Sequence, residues 1–125
     1  MEDLNKFQVA NSDVVTYHDY SPVEDHLKTV QFLKMIGRPL ICTEYMARPL
    51  NSTFATVLPM LKKENVGAIN WSFVSGKTNT IYAWDTPMPD GAEPKLWFHD
   101  IFHKDGTSYK ADATELIKKL TGRGR

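Results

Sequence analysis

Residues 38–46, RPLICTEYM, form a short apolar run that ends in a single acid, Glu44. Leu40, Ile41 and Cys42 are consecutive apolar residues, a pattern that predicts a strand buried on both faces. An acid has no structural reason to end such a strand, because burying an unpaired charge costs free energy. In α/β proteins the carboxyl ends of parallel strands are where catalytic groups are placed. Glu44 is therefore the first candidate for a catalytic residue.

Length and composition limit the classes of protein that this sequence can encode. Its 125 residues fit one ordinary domain or a piece of a larger one. Fifteen basic residues balance fifteen acidic ones, which argues against nucleic acid or an anionic membrane as a partner. No apolar run approaches the roughly 18 residues of a membrane span, and residues 1–13 lack the apolar segment of a signal peptide. We expect a globular protein whose partners are neither nucleic acid nor membrane.

The chain is predicted to contain three consecutive strand–helix units. Strands are expected over Val14–His18, Pro39–Tyr45 and Ala68–Val74, where β-branched and apolar residues cluster. They start 25 and then 29 residues apart, a spacing typical of parallel strands joined by right-handed helical crossovers. The sequence therefore predicts repeated βα units.

Two helices are predicted between these strands. The first begins at residues 21–24, SPVE, which supply an N-cap, a proline and a capping-box acid, and it ends at Gly37. The second is expected to begin near Asn51 or Ser52. Pro59 lies within its apolar pattern and predicts either a kink or a late start.

The regular alternation ends after the third strand. Ser75–Pro94 is a long segment rich in Gly, Pro, Thr and Asp, and a connection of this length is uncommon unless it is functional. An aromatic segment, Leu96–Phe102, and a turn at Lys104–Gly106 follow. A last helix is expected over Ala111–Leu120, ending at Gly122. Residues 75–94 are thus predicted to form a long loop after the last strand.

Three parallel strands do not make a closed architecture. A (β/α)8 barrel needs roughly 250 residues, and three strands alone leave two unpaired edges and uncovered apolar surface. Either another chain supplies the missing strands or this sequence is part of a longer one. We favour the second explanation.

Three motifs occur in order on the three predicted strands: YHDY at 17–20, ICTEY at 41–45 and INWSF at 69–73. Together they resemble the last three strands of the retaining β-glycosidases with a (β/α)8 barrel, the cellulase-like clan. The closing sequence WFHDIFHKDGTSY at 97–109 is also similar, and the resemblance covers residues 13–122. It implies that residues 1–125 are a single partial TIM-barrel domain, an α/β fold holding strands six to eight.

The resemblance implies roles for residues at the strand ends. A Glu that ends strand seven is the nucleophile in that family, which corresponds to Glu44. A His and a Tyr that end strand six contact the nucleophile and the substrate, which corresponds to His18 and Tyr20. The nucleophile must stay ionised, and hydrogen bonds from these two neighbours would stabilise the carboxylate.

Aromatic side chains are the expected sugar contacts. A Trp that ends strand eight forms the floor of the sugar subsite in that family, which corresponds to Trp71. Indole and phenol rings stack on the apolar face of a pyranose, and Trp84 and Tyr82 in the long loop are further candidates. The implied substrate is a β-linked polysaccharide or oligosaccharide, and neither a cofactor nor a metal is expected.

One departure from the family pattern concerns the acid/base. In the family it follows an Asn on strand four, which would lie upstream of residue 1. Asp19 and Asp85 are weak substitutes, so the chain alone is expected to be inactive or nearly so. We expect the missing N-terminal barrel portion, or self-association, to complete it, and a parent enzyme that is periplasmic or secreted.

Other interpretations of the same residues remain open. The chain could be a non-catalytic carbohydrate-binding module, or an α/β module that completes its sheet by self-assembly. Glu44 could be a structural acid paired with Arg38 or Arg48. His99 and His103 are four residues apart, but further ligands for a zinc site have no suitable spacing.

Overall fold

The computed structural model describes residues 2–86 and 92–122 as a mixed α/β fold built on a small parallel sheet. Its strands are β1 (Val15–His18), β2 (Leu40–Glu44) and β3 (Gly67–Ala68), in the order β1-β2-β3. Both neighbouring pairs are parallel. The α/β class and the parallel strands are confirmed, and the sheet is open at both edges.

Four α-helices accompany the sheet in the described residues. They are α1 (Asp3–Ala10), α2 (Val23–Lys34), α3 (Phe54–Lys63) and α4 (Ala111–Leu120). The predicted bounds of α4 are confirmed, and Gly122 follows it with a positive φ of 73°. Helix α1 was not predicted. It is a solvent-exposed helix without a buried residue, so it lacks the apolar periodicity that would reveal it.

The two crossover helices begin later than the sequence suggested. Pro22, rather than Ser21, is the N-cap of α2, and its side chain makes no cap hydrogen bond, so the predicted capping box was wrong. Helix α3 is capped by Thr53 and Thr56, each of which accepts a hydrogen bond from the backbone of the other. Helix α3 begins at Phe54 and contains Pro59, so this proline does not delay the start of the helix.

The hydrophobic core lies between one face of the sheet and helices α2 and α3. Alternation along the strands directs Val15, Leu40 and Cys42 to this face. The two helices meet them with apolar residues that have almost no exposed surface: Val30, Leu33, Val57 and Leu61. The helices therefore cover only one face of the sheet.

The third strand is much shorter than predicted. Only Gly67–Ala68 pairs with β2, although the Ile69 backbone still donates to the Cys42 carbonyl at 2.8 Å. Beyond it the chain bends, and Ser72 has a positive φ of 76°. Because the backbone leaves the extended conformation there, it no longer pairs with β2, and the strand expected over Ala68–Val74 was wrong beyond its first residue.

The long loop and the closing segment pack together. The Phe98 and His99 amides donate to the carbonyls of Ile81 and Thr80, and Val74 forms a parallel bridge to Phe102. Five consecutive residues, 97–101, are consequently buried. Part of the predicted loop, residues 87–91, lies outside the described residues. In the described part of the chain, no helix combines the length and apolarity needed to cross a bilayer.

Candidate active site

Glu44 is the last residue of β2 and lies at the carboxyl edge of the sheet. It is in register with His18, the last residue of β1, and a bulge between Tyr17 and His18 shifts the pairing at this point. A bulge re-aims the side chains that follow it. One fifth of the Glu44 side-chain surface is exposed, so the carboxylate is reachable from solvent.

Two of the predicted site residues contact the Glu44 carboxylate. The Tyr20 hydroxyl donates a short hydrogen bond to Oε2. The His18 Nδ1 lies 3.4 Å from the same oxygen. Burial, followed by the hydrogen bond to Glu44, raises the pKa of Tyr20 above its usual range, so the phenol remains a donor near neutral pH. The structure thus brings Glu44, His18 and Tyr20 together.

The two arginines considered as ion-pair partners of Glu44 are engaged elsewhere. Arg48 donates to the carbonyls of Trp97 at 3.0 Å and Asp100 at 2.8 Å. Arg38 donates to carbonyls at the end of α1, including that of Val9 at 2.6 Å. Among the described residues, the one basic side chain within ion-pair distance of Glu44 is therefore His18.

Trp84 joins the site through Tyr20. The two rings meet edge to face, with centroids 4.8 Å apart, and Trp84 also packs against Phe98 at 4.7 Å. Trp84 nevertheless keeps 64% of its surface exposed. An indole that is fixed along one side and open on the rest is suited to stacking against an apolar ligand face.

The other two predicted sugar contacts lie apart from this cluster. Trp71 is half exposed, and no hydrogen bond or ring contact joins it to Glu44 in the described structure. The Tyr82 hydroxyl donates to the Ala92 carbonyl at 3.1 Å, and its ring lines a different cavity with Trp97 and His103. Of the three predicted aromatic contacts, Trp84 has the direct link to the Glu44 cluster.

Neither Asp19 nor Asp85 is arranged as an acid/base. The Asp19 carboxylate accepts from the Ser21 amide at 2.8 Å. Burial opposes ionisation of Asp19, but hydrogen bonds from Thr29 and Ser21 outweigh it and hold its pKa below the usual value. Asp85 is exposed in the loop. A group that donates a proton near neutral pH needs a raised pKa, which Asp19 does not have.

His99 is a neighbour of the site that the sequence did not assign to it. It is buried, and its ring lies 5.7 Å from the Tyr20 ring and 5.8 Å from the Trp84 ring, between centroids. It belongs to an irregular segment, so its four-residue spacing from His103 does not place the two side chains on one helix face. The one sequence feature that could have drawn attention to His99 is its position directly after two aromatic residues.

Cys42 lies close to the site but is poorly suited to nucleophilic chemistry. Burial raises the pKa of its thiol to about 11, and its Sγ lies 3.3 Å from the Glu44 carbonyl oxygen. A thiol with this pKa is protonated at neutral pH and weakly reactive. This agrees with its interpretation as a small buried residue of the core.

Comparisons of the chain with known protein families, with curated proteins and with solved structures give no match. The case for a function therefore depends on the residues and geometry of the chain itself. The carboxylate at the end of β2, its two contacting side chains and the adjacent exposed indole are the features on which it depends.

Proposed function

We propose that this chain carries the nucleophile half of a retaining β-glycosidase that acts on β-linked polysaccharide or oligosaccharide. The observation that carries the proposal is the Glu44 carboxylate at the carboxyl end of β2, with the Tyr20 hydroxyl and the His18 imidazole on one of its oxygens. Arg38 and Arg48, the two arginines considered as structural partners of Glu44, donate to backbone carbonyls instead.

The two oxygens of Glu44 are suited to different tasks. Both neighbours contact Oε2, which leaves Oε1 to attack the anomeric carbon of the sugar. The glycosidic C–O bond breaks, an ester to Glu44 forms, and the leaving oxygen takes a proton from the acid/base. Water then attacks the anomeric carbon and returns the carboxylate, with the second carboxyl group acting as base.

The acid/base is proposed to come from an upstream barrel portion. A retaining mechanism needs a second carboxyl group about 5–5.5 Å from the nucleophile. The Asp19 carboxylate holds the Ser21 amide, and Asp100 is fully buried and accepts from the Ser72 hydroxyl at 2.5 Å. These roles leave the described carboxylates near the site unsuited to the task.

The open sheet supports the view that further strands complete this fold. Strands β1, β2 and β3 follow each other in both sequence and space, as successive strands of a barrel do. Each outer strand borders a groove, of about 790 Å³ beside β1 and about 510 Å³ beside β3. Parallel sheets are ordinarily covered on both faces, so we assign these grooves to the missing N-terminal portion of a partial (β/α)8 barrel.

Trapping of a covalent intermediate tests the proposal. The polypeptide from the complete reading frame that contains this sequence is incubated with a 2-deoxy-2-fluoro-β-glycosyl fluoride. Fluoride leaves without a general acid, so an ester to Glu44 can form with loss of the C–F bond, and the 2-fluorine slows its hydrolysis. Mass spectrometry of proteolytic peptides is expected to find the added fluoroglycosyl mass on the peptide with Glu44.

Matched variants decide the outcome. Glu44→Gln is expected to abolish the label and to lower turnover of an aryl β-glycoside at least about a thousandfold, whereas Asp19→Asn is expected to leave the label on Glu44. Turnover that persists at the wild-type rate in Glu44→Gln would rule out the nucleophile role. A label on another carboxylate would do the same.

A non-catalytic carbohydrate-binding function is the alternative, and the exposed indoles favour it. Trp84 and Trp71 are 64% and 50% exposed, and either could hold a sugar without chemistry. Calorimetric titration with β-linked oligosaccharides would then show binding by Glu44→Gln as tight as by wild type, lost in Trp84→Ala. Self-assembly, which the open sheet edges also permit, would appear as a defined oligomer in sedimentation.

A further inference from the structure

A buried histidine stands behind the Glu44 cluster, and neither the retaining mechanism nor the core requires it. His99 is 2% exposed and lies in the closing segment, where its amide donates to the Thr80 carbonyl in the loop after β3. That hydrogen bond fixes the closing segment against the loop that carries Trp84. The His99 side chain is thus held between the loop and the end of β2.

One hydrogen bond fixes the tautomer of His99. Its Nδ1 lies within hydrogen-bonding distance of the Met46 carbonyl oxygen. A carbonyl oxygen only accepts, so Nδ1 carries the proton and donates it. Met46 follows Glu44 by two residues, so this bond ties the ring to the chain segment that carries the proposed nucleophile.

The other ring nitrogen of His99 is buried without a partner. Nε2 is inaccessible to solvent and makes no hydrogen bond within the described structure. Burial lowers the pKa of His99, so the ring is neutral near pH 7 and Nε2 bears a lone pair. The Glu44 and Asp100 carboxylates favour protonation of the ring and the Arg48 guanidinium opposes it, while Tyr20 is the titratable side chain in ring contact.

The His99 ring contacts the two aromatic side chains that surround the carboxylate. It packs against Tyr20, whose hydroxyl donates to Glu44, and against Trp84, the exposed indole. Tyr20 and Trp84 also contact each other. The three rings therefore form one packed group, and the bond to Met46 anchors this group to the end of β2.

We propose that His99 is a positioning residue of the site, which holds Tyr20 and Trp84 in place beside Glu44 through its anchor on the Met46 carbonyl. This inference rests on the proposed function for its consequence in catalysis, because the ring group then aims the donor and the sugar platform at the nucleophile. A phenylalanine could fill the same volume, but it could not make the bond that fixes the ring relative to β2.

The tautomer of His99 and its contact with Trp84 can both be tested by NMR spectroscopy, without any enzymatic activity. In ¹⁵N spectra of histidine side chains, His99 is expected to show a protonated Nδ1 and an unprotonated Nε2 at pH 7.5. With 5-fluorotryptophan incorporated and the Trp84 signal assigned by Trp84→Phe, that ¹⁹F signal is expected to shift only at a pH below the ordinary histidine pKa of about 6.5, because burial lowers the pKa of His99. His99→Phe is expected to remove this shift, with the Trp71 signal unchanged as the internal control.

Catalytic readouts complete the test. His99→Phe is expected to lower the rate of fluoroglycosyl labelling at Glu44 about tenfold, since small displacements of positioning groups reduce rates by such factors. His99→Asn places an amide N–H at the position of the histidine Nδ1, where it can donate to the Met46 carbonyl, and is expected to restore part of the rate. Both variants are compared with wild type by urea denaturation, so that a loss of folding is recognised.

The outcomes separate this inference from the proposed function. A protonated Nε2, or a Trp84 signal that responds identically in wild type and His99→Phe, would overturn the positioning role even if Glu44 is labelled. If Glu44 is not labelled but His99 shows the expected tautomer and Trp84 the expected pH response, the glycosidase proposal is overturned. The packing of His99 against Tyr20 and Trp84 is then still supported. An equal labelling rate in wild type and His99→Phe would show that the anchor has no catalytic role.

Discussion

The two faces of the small sheet differ in how completely their side chains are buried. On the face toward α2 and α3, Val15, Leu40 and Cys42 are buried in a continuous apolar core. On the opposite face Thr16 is exposed, and Ile41 and Thr43 are only partly covered. Parallel sheets are ordinarily covered on both faces, and the described helices cover one face of this sheet.

The proposed site lies at the boundary between these two faces. Tyr17 and Tyr20 show this boundary, because they are only three residues apart and their hydroxyl groups lie in different environments. The Tyr17 hydroxyl lies 3.0 Å from Nε2 of His26 on the core side, whereas the Tyr20 hydroxyl donates to Glu44 at the solvent-accessible rim. The first hydrogen bond stabilises the fold, and the second contacts the proposed nucleophile.

The largest expected effect comes from truncating neighbouring residues on opposite faces of β2. Leu40→Ala is expected to lower the free energy of unfolding by roughly 2–5 kcal/mol, because it opens a cavity in the closed core. Ile41→Ala is expected to cost less than about half of this, since Ile41 is only partly covered. Urea denaturation followed by circular dichroism measures both values, and equal losses would contradict the contrast between the two faces.

The next effect separates the two tyrosines. Tyr17→Phe leaves the buried Nε2 of His26 without its hydrogen bond and is expected to reduce the free energy of unfolding by about 1–3 kcal/mol. Tyr20→Phe is expected to reduce it by no more than about 1 kcal/mol, because Glu44 is partly exposed and water can replace the hydroxyl, but to slow fluoroglycosyl labelling at Glu44 about tenfold or more. Urea denaturation measures the loss of stability, and the rate of mass increase measures labelling. A larger loss of stability in Tyr20→Phe, or slower labelling in Tyr17→Phe, would contradict these roles of the two tyrosines.

A smaller effect is expected at the start of α3. Thr53 caps this helix by accepting from the Thr56 amide at 3.2 Å, so Thr53→Ala is expected to cost about 1 kcal/mol of stability. Thr16→Ala on the open face is the matched control and is expected to change stability by less than about 0.5 kcal/mol. Thermal unfolding of the two variants checks the difference, and an effect of Thr16→Ala as large as that of Thr53→Ala would mean that the open face is packed.

The smallest effect is a pH dependence of stability that arises from the core side. Burial lowers the pKa of His26 in the folded protein, so the unfolded chain binds a proton first as the pH falls through about 6.5. The contribution is complete above that pH and is lost progressively below it, and His99 acts in the same direction. Urea midpoints are expected to be lower at pH 5.5 than at pH 7.5, and His26→Gln is expected to reduce this difference. A slope of the same size in His26→Gln would place its origin elsewhere.

Local patterns in the sequence were sufficient to predict most of the regular structure. The β-branched run before His18 and the apolar run before Glu44 correspond to β1 and β2, and the bounds of α4 agree with its apolar spacing. Position at a strand end was enough to single out Glu44, whereas His18 and Tyr20 were assigned to it through the resemblance to the β-glycosidases; the parallel pairing of β1 and β2 then brings the ends of these strands together. These features follow from residue order alone.

The tertiary structure decided everything that depends on contacts between distant segments. It shortened β3 to Gly67–Ala68, because the chain bends away from β2 after Ile69 and Ser72 takes a positive φ. It turned Arg38 and Arg48 toward backbone carbonyls, and it placed His99 behind Tyr20 through a loop that has no periodicity to read. Sequence patterns report which face of an element is apolar, whereas side-chain partners 29 or more residues apart in the sequence are set only when the elements pack.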